Sequence, residues 1–338
     1  MISILAGEKE AGSRIDRVLR KRLPLVSLAG IYSLIRLGGV RVAGKKRVGQ
    51  DYRLIAGDRI EIDLDPAELA VPRTQSAADK CLVNTEFFRR NFSILHEDGD
   101  LLACNKPAGL VVHPGSGHLQ HDTLIDLAVA YLLAGDAAAT ADDIGLVHRL
   151  DRDTSGVILV AKNKPALRRL HESFRDRSLV KRYIALCHGR PPKNEGEVTV
   201  NLRRGRDLRG ETTMRVDTAG DFSRSRYRID AFHDDISRVE VLLETGRTHQ
   251  IRLHLPHIGA PIIGDGRYGD GSRDAAFFSK HPRLPKRLYL HAWKLAIPHP
   301  SGRRTITMTA PVPPEFAEAI AEVFGTTVNC PGRGERTP

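Results

Sequence analysis

The sequence predicts an α+β protein in two parts, and three observations lead there. Ile15, Val18, Leu19 and Leu23, then Leu28, Ile31, Tyr32 and Ile35, recur at helical spacing near the N-terminus. From Phe92 onward, short alternating runs and glycine turns dominate, with few long helical patterns. Residues 71–90 between these parts are only weakly periodic and read as a linker. With 338 residues, 41% of them hydrophobic, the chain is long enough for about two domains.

The first part covers residues 12–70. After its two helical patterns, "LGGVRVAGKKRV" reads as a glycine-punctuated hairpin and "AGDRIEIDL" as a turn leading into an alternating strand. Between Arg14 and Asp63 there are twelve Lys/Arg against five Asp/Glu, a surplus of seven positive charges. Arg17, Arg20, Lys21 and Arg22 form one cluster, and Arg41, Lys45, Lys46 and Arg47 another. Such clusters are either a solvated face or a surface that docks phosphates. The second part, residues 91–325, holds two clear helical segments, "TLIDLAVAYLLA" and "KPALRRLHESFRD". Residues 326–338 read as a disordered tail.

Several function classes are excluded by what the sequence lacks. No apolar run reaches the roughly 18 residues a membrane helix needs. The N-terminal apolar stretch is too short for a signal peptide. Cys81, Cys104, Cys187 and Cys330 form no CxxC pair, which points to a reducing cytoplasm and away from a zinc ribbon. The net charge of +11 suits a polyanionic partner.

The stretch "HRLDRDTSG", His148 to Gly156, sets two carboxylates, two guanidiniums and a histidine directly before the apolar run "VILVA". Asp151, Asp153 and Ser155 imitate the start of a calcium loop, but Lys162 stands where the bidentate Glu belongs. His249, His254 and His257, or His113, His118 and His121, lack the spacing and cysteine partners of a zinc site. No G-x-S-x-G elbow and no P-loop occurs. What remains is a carboxylate at a strand edge among arginines. Asp151 and Asp153 can simply cap the turn.

Other segments add to this one. "VKRYIALCHG" carries Tyr183 on an alternating strand, and "LLETGRTHQIRLHLPHIGAPIIGD" brings Arg247 and His249 from a turn, with Arg252 on a following strand. Together with "HRLDRDTSG", these resemble the signature segments of the RluA-type pseudouridine synthases. "ILHEDGDLLACNKPAGLVVHPGSG" and "RLYLHAWKLAIPHPSG" fit the same family, so the resemblance covers most of the chain. The N-terminal part resembles the S4-type RNA-binding module, with Ala43 where that pattern often has Asn. By texture the ribosomal large-subunit branch of the family is the nearest.

The resemblance implies an S4-like module joined to a catalytic domain with a large mixed, mainly antiparallel sheet and a central cleft. It implies an enzyme that detaches uracil from C1′ of a uridine, turns it, and rejoins it through C5, without metal or cofactor. Asp151 then corresponds to the nucleophile, which either attacks C1′ or assists a glycal route. It must be ionised to attack, and a neighbouring guanidinium favours that form; Arg247 matches that partner. Tyr183 matches the tyrosine that stacks on uracil and can act as general base. The target base must leave its stack, so Arg149 becomes a wedge or phosphate clamp, while His148 and Thr154 hold the loop. Arg152 either contacts phosphate or is solvated. Arg17, Arg20, Arg41, Lys45 and Lys46 are expected to meet RNA phosphates. The expected substrate is 23S ribosomal RNA, the expected state a cytoplasmic monomer. A transfer RNA synthase and a non-catalytic ribosome-assembly RNA-binding protein are the alternatives, and a metallohydrolase a remoter one.

Overall fold

The structure is a computed structural model that describes residues 2–23, 31, 34–35, 38–42, 48–49, 51–63, 92–113, 123–136, 139–206, 212–302 and 304–325. These residues fall into two compact units, one within residues 1–80 and the other within 81–338. The expected linker 71–90 and tail 326–338 lie outside the described residues.

In the first unit, strand β1 (Ile2–Leu5) precedes helix α1 (Ile15–Arg22), followed by β2 (Val40–Val42) and β3 (Arg59–Ile62). Ile15, Val18, Leu19 and Leu23, predicted from helical spacing, are all buried, as are Ile31 and Ile35. Leu28 and Tyr32 lie outside the described side chains. The three strands pair in the order β1-β3-β2, antiparallel throughout. The hairpin read from "LGGVRVAGKKRV" runs onto residues 43–47, which lie outside the described residues; among the described residues Val40–Val42 pairs with Ile60–Ile62. The buried faces Val40/Val42 and Ile60/Ile62 select that partner, because alternation places both apolar sets on one side.

Among the described residues, the second unit is built on one mixed sheet of eleven strands. In chain order these are β4 (Ser93–Glu97), β5 (Leu101–Lys106), β6 (Gly145–Leu146), β7 (Ser155–Ala161), β8 (Val180–His188), β9 (Glu195–Arg206), β10 (Thr212–Val216), β11 (Asp221–His233), β12 (Ile236–Leu243), β13 (Leu290–Pro298) and β14 (Thr305–Thr309). The spatial order is β10-β9-β11-β12-β8-β13-β7-β5-β4, with β14 on β13 and β6 on β7. Every pairing is antiparallel except β7 with β13.

Both helical segments read from the sequence form: α2 (Leu124–Gly135) and α3 (Lys164–Arg175). Thr123 and Asp126 close α2 with a capping box, and Asn163 caps α3 through the Ala166 N–H. Helices α4 (Gln250–His257), α5 (Gly271–Lys280) and α6 (Pro314–Phe324) complete the unit. Because strand side chains alternate, β7 and β8 feed cores on both faces. Ile158, Val160, Tyr183 and Ala185 join the core against α2, whereas Val157 and Leu159 pack with Leu170 of α3. Ile184 and Leu186 pack with Phe316 and Ile320 of α6.

Strand β13 is the keystone between β7 and β8. It meets β7 at only two positions, His291 opposite Ser155 and Ala292 opposite Gly156. The His291 ring lies 2.9 Å from Ser155 Oγ through Nδ1 and 3.1 Å from Ala310 O through Nε2. Gly156 sits at φ 121°, and a Cβ there would lie 2.2 Å from Ala292 O. Gly156→Ala is therefore expected to cost about 3 kcal/mol or more in unfolding free energy. Urea denaturation checks this; an unshifted midpoint would show that β7 and β13 are not held this closely.

Candidate active site

Three carbonyl contacts shape the loop between β6 and β7. The Thr154 N–H donates to Asp151 O at 3.2 Å, and the Gly109 N–H to Arg152 O at 2.9 Å. Lys106, wholly buried at the end of β5, donates to Arg152 O at 2.7 Å and to Pro107 O and Leu110 O at 2.8 Å each. Burial pushes its amine down to about 7, while one acceptor for each N–H suits the ammonium form. On the other side, His148 stacks on Phe174 of α3 at 5.0 Å, and its Nε2 accepts the Leu159 N–H at 3.2 Å. Burial, with the Lys181 charge, pushes His148 down to about 3, so it is a neutral brace. Asp151 sits at the top of this framework with 21% of its side chain exposed.

The cation on Asp151 is Arg252. Its Nη1 lies 3.0 Å from Asp151 Oδ2, while Nε and Nη2 hold Asp265 at 2.7 and 2.8 Å. Asp265 has a side chain 0% exposed and also accepts the Arg267 and Tyr268 N–H groups at 3.0 and 3.1 Å. Burial works to raise the Asp265 carboxyl, but Arg252 and these two N–H groups hold it below its usual range. Burial likewise works to lower Arg252, yet its bonds to Asp265 and the nearby Asp151 charge raise it. The Tyr268 ring backs the guanidinium at 5.1 Å. Asp265 thus orients the fork, and an N–H of Nη1 is aimed at Asp151.

A cavity of about 320 Å³ opens on this carboxylate. Leu150, Asp151, Tyr183, Arg247, His249 and Arg252 are among its lining residues. Tyr183 reaches it from β8, opposite Val241 of β12. Burial and the facing Asp151 charge push its phenol well above the ordinary value, so it keeps its proton at neutral pH. Lys181, on the same face of β8, also lines the cavity, and burial lowers its amine to about 8. A partly buried carboxylate, a fixed guanidinium and a neutral aromatic around a space of this size can hold one planar base beside a nucleophilic group.

Comparison with known proteins gives the family of the chain. Residues 100–257 match the RNA pseudouridylate synthase family. The Salmonella typhimurium ribosomal large subunit pseudouridine synthase C is 38% identical over 303 residues, covering 90% of this chain and 90% of that protein. The chain belongs to the RluA-type pseudouridine synthases. The Buchnera aphidicola protein of the same name is 33% identical across 94% of this chain and 96% of its own. Among solved structures, human RNA pseudouridylate synthase domain containing 4 superposes with a TM-score of 0.58. It shares 25% identity with this synthase, over 71% of this chain and 95% of that one.

Against this family background, one pairing expected from the sequence is corrected. Arg247 does not hold Asp151; its Nε donates to Phe222 O at 3.1 Å and its Nη1 lies 3.7 Å from Asp221. The reason is local structure. The segment from Gln250 is helix α4 rather than a strand, so His249 and Arg252, three residues apart, share the face toward Asp151. Arg247 stays in the preceding turn, where Gln250 Oε1 accepts its backbone N–H at 3.0 Å.

Other expected residues fall in different places. Arg149 is exposed and lines the cavity, and Thr154 is buried beside it. Arg152 pairs with the exposed Asp153 at 3.0 Å, a solvated pair. In the first unit Arg17 and Arg41 are exposed and Arg20 lies in α1, while Lys45 and Lys46 lie outside the described residues. Sequence reasoning missed Lys106, Lys181, Asp265 and Tyr268. Asp265 and Tyr268 stand in "GDGRYGD", where closely spaced glycines around an acid signal a tight, buried turn.

Arg252→Met is expected to destabilise the fold by about 3–5 kcal/mol, since it strands the fully buried Asp265 carboxylate. Arg247→Met, whose guanidinium is half exposed, should leave the unfolding midpoint within about 0.5 kcal/mol of wild type. Parallel denaturation curves check both; equal effects would contradict the assignment of Arg252 as the central cation.

Proposed function

We propose that the protein converts uridines to pseudouridine in large-subunit ribosomal RNA, with Asp151 as the nucleophile. The observation that carries this reading is the Asp265–Arg252–Asp151 chain at the mouth of a cavity sized for one base. Arg252 holds the partly buried Asp151 by Oδ2, which leaves the side chain beside the cavity to act on C1′ or the adjoining ribose. Neutral Tyr183 supplies a stacking face for the uracil while it turns. Arg149, exposed at the rim, is placed to occupy the space a flipped base leaves. Arg247, at the same rim and turned outward, suits a phosphate contact.

The ribosomal target is supported by the relatives, whose names are those of ribosomal large-subunit enzymes and whose match extends over 90% or more of this chain. In this reading residues 12–70 form an S4-like RNA-binding domain, 71–90 a linker, 91–325 the catalytic domain and 326–338 a tail. The +11 charge supplies affinity for RNA phosphates. We place the enzyme in the cytoplasm as a monomer. Cys104 and Cys187 are free and buried, in keeping with a reducing compartment. No helix among the described residues is long and apolar enough to cross a membrane.

Asp151→Asn should abolish tritium release from [5-³H]uridine-labelled ribosomal RNA while preserving the fold and most RNA affinity, because only the charge is lost. Turnover within about tenfold of wild type would remove Asp151 from this role. Removal of residues 1–70 should weaken RNA binding and make the slope of log affinity against log salt shallower by about 0.7–0.9 per lost phosphate contact. An unchanged slope with a lower melting temperature would mean that the first unit stabilises the second instead of docking RNA.

A further inference from the structure

His249 stands beside the nucleophile without a part in the chemistry so far. It immediately precedes α4 and sits at φ 54° and ψ 22°, in the left-handed region that few residues other than Gly adopt. Its ring reaches in two directions. Nδ1 lies 2.7 Å from the Tyr268 hydroxyl, and Nε2 lies 3.7 Å from Asp151 Oδ2. The same hydroxyl accepts the Met214 N–H at 3.1 Å and lies 3.1 Å from Thr213 Oγ1, both on β10.

A phenol has one proton to give and room for two to receive. The Met214 N–H takes one acceptor place, so two arrangements remain. In one, Thr213 donates to Tyr268 and Tyr268 donates to His249 Nδ1, leaving the imidazole proton on Nε2. In the other, His249 donates from Nδ1 and Tyr268 donates to Thr213, leaving a bare lone pair on Nε2. The second arrangement points that lone pair at the Asp151 carboxylate, like charge toward like. The first points an N–H at it. Burial and the charges of Arg252 and Arg267 keep His249 below its ordinary range, against the opposing pull of Asp151 and Asp265, which suits a neutral ring with one proton to place.

We propose that Tyr268 fixes His249 as its Nε2–H tautomer, and that this N–H, with Arg252, holds Asp151 by Oδ2 so that Oδ1 is the oxygen that reacts. Arg252 Nη1 and His249 Nε2 both address Oδ2, and no described residue makes a hydrogen bond to Oδ1. His249 is thus a positioning residue. Its separation of 3.7 Å from Oδ2 closes to a hydrogen bond when a nucleotide fills the cavity and excludes water. The role also ties the register of β10, an edge strand among the described residues, to the orientation of the nucleophile through a single hydroxyl. It rests on Asp151 being the nucleophile.

The test uses the full chain and three variants, Tyr268→Phe, His249→Asn and His249→Gln. Nitrogen NMR of protein carrying ring-labelled histidine reports the tautomer, with the His249 signal identified by its loss in the Asn variant. The proposal expects a protonated Nε2 and an accepting Nδ1 in wild type, and a mixture of tautomers in Tyr268→Phe. Tyr268→Phe and His249→Asn should each lower kcat by about 10–100-fold with little change in KM. Asn tolerates the left-handed backbone but is too short to reach Oδ2, whereas Gln carries an N–H to the same distance and should recover part of the loss. A proton on Nδ1 in wild type overturns the proposal. So does an Asn variant as active as wild type, because His249 would then serve only the backbone turn. If wild type itself releases no tritium from RNA, the functional reading fails while the ring measurement still decides the tautomer.

Discussion

Arg252 faces two carboxylates with one guanidinium, and it does not treat them alike. The buried Asp265 takes two of its N–H groups in a fork, and Asp151 receives one from the side. That asymmetry gives each acid a different task. Asp265, bonded also by two backbone N–H groups, is a fixed anchor whose charge is fully compensated. Asp151, which lines the cavity, takes a single N–H of Arg252 on one of its two oxygens. An isolated carboxylate could not be brought out of water here at tolerable cost, and one bound on both oxygens could not react. The loop, the cavity and the helix that delivers Arg252 are all arranged around this intermediate condition.

The rest of the catalytic unit holds that arrangement still. Asp151 comes from the loop before β7, Tyr183 from β8, Arg252 from α4 and Asp265 from the turn beyond it. These segments are distant in sequence, so their geometry depends on the sheet between them. Burial on both faces of β7 and β8 removes the freedom that a half-exposed strand would keep. Lys106 and His148 then clamp the loop from opposite sides, one through carbonyls and the other through a stacked ring. The side chains at the cavity thus depend on a rigid frame for their relative positions.

Much of this was readable from the residues alone. The helical spacing of Ile15 to Leu23 marked a real buried face, and the abrupt passage from "HRLDRDTSG" to "VILVA" marked a loop feeding a central strand. Asp151 and Tyr183 were identified by the segments around them and do line one cavity. Arg252 was harder. In a strand, residues two apart share a face, which groups Arg247 with His249; in a helix the grouping becomes His249 with Arg252. The segment "THQIRLHLPH" supports both periods, and its tertiary surroundings decide between them. Strand β1 was missed for a related reason, since four residues, "ISIL", gain their meaning only from Arg59–Ile62, far along the chain.

Strand β13 has a consequence for the order in which the enzyme comes into being on its own ribosome. Asp151, Tyr183, Arg252 and Asp265 have all been synthesised before Leu290, yet the sheet that aligns β7 with β8 lacks its middle strand until Leu290–Pro298 follows. Ser155, at the foot of the loop that carries Asp151, waits for His291, which in turn waits for the carbonyl of Ala310. A nascent chain therefore carries these four side chains for some time before it can orient them. Non-local pairing of this kind is slow to form and exposes strand edges in the interval. Because the closing strand follows all four of these residues in the chain, Asp151 and Arg252 are brought into register only after Leu290–Pro298 has joined the sheet.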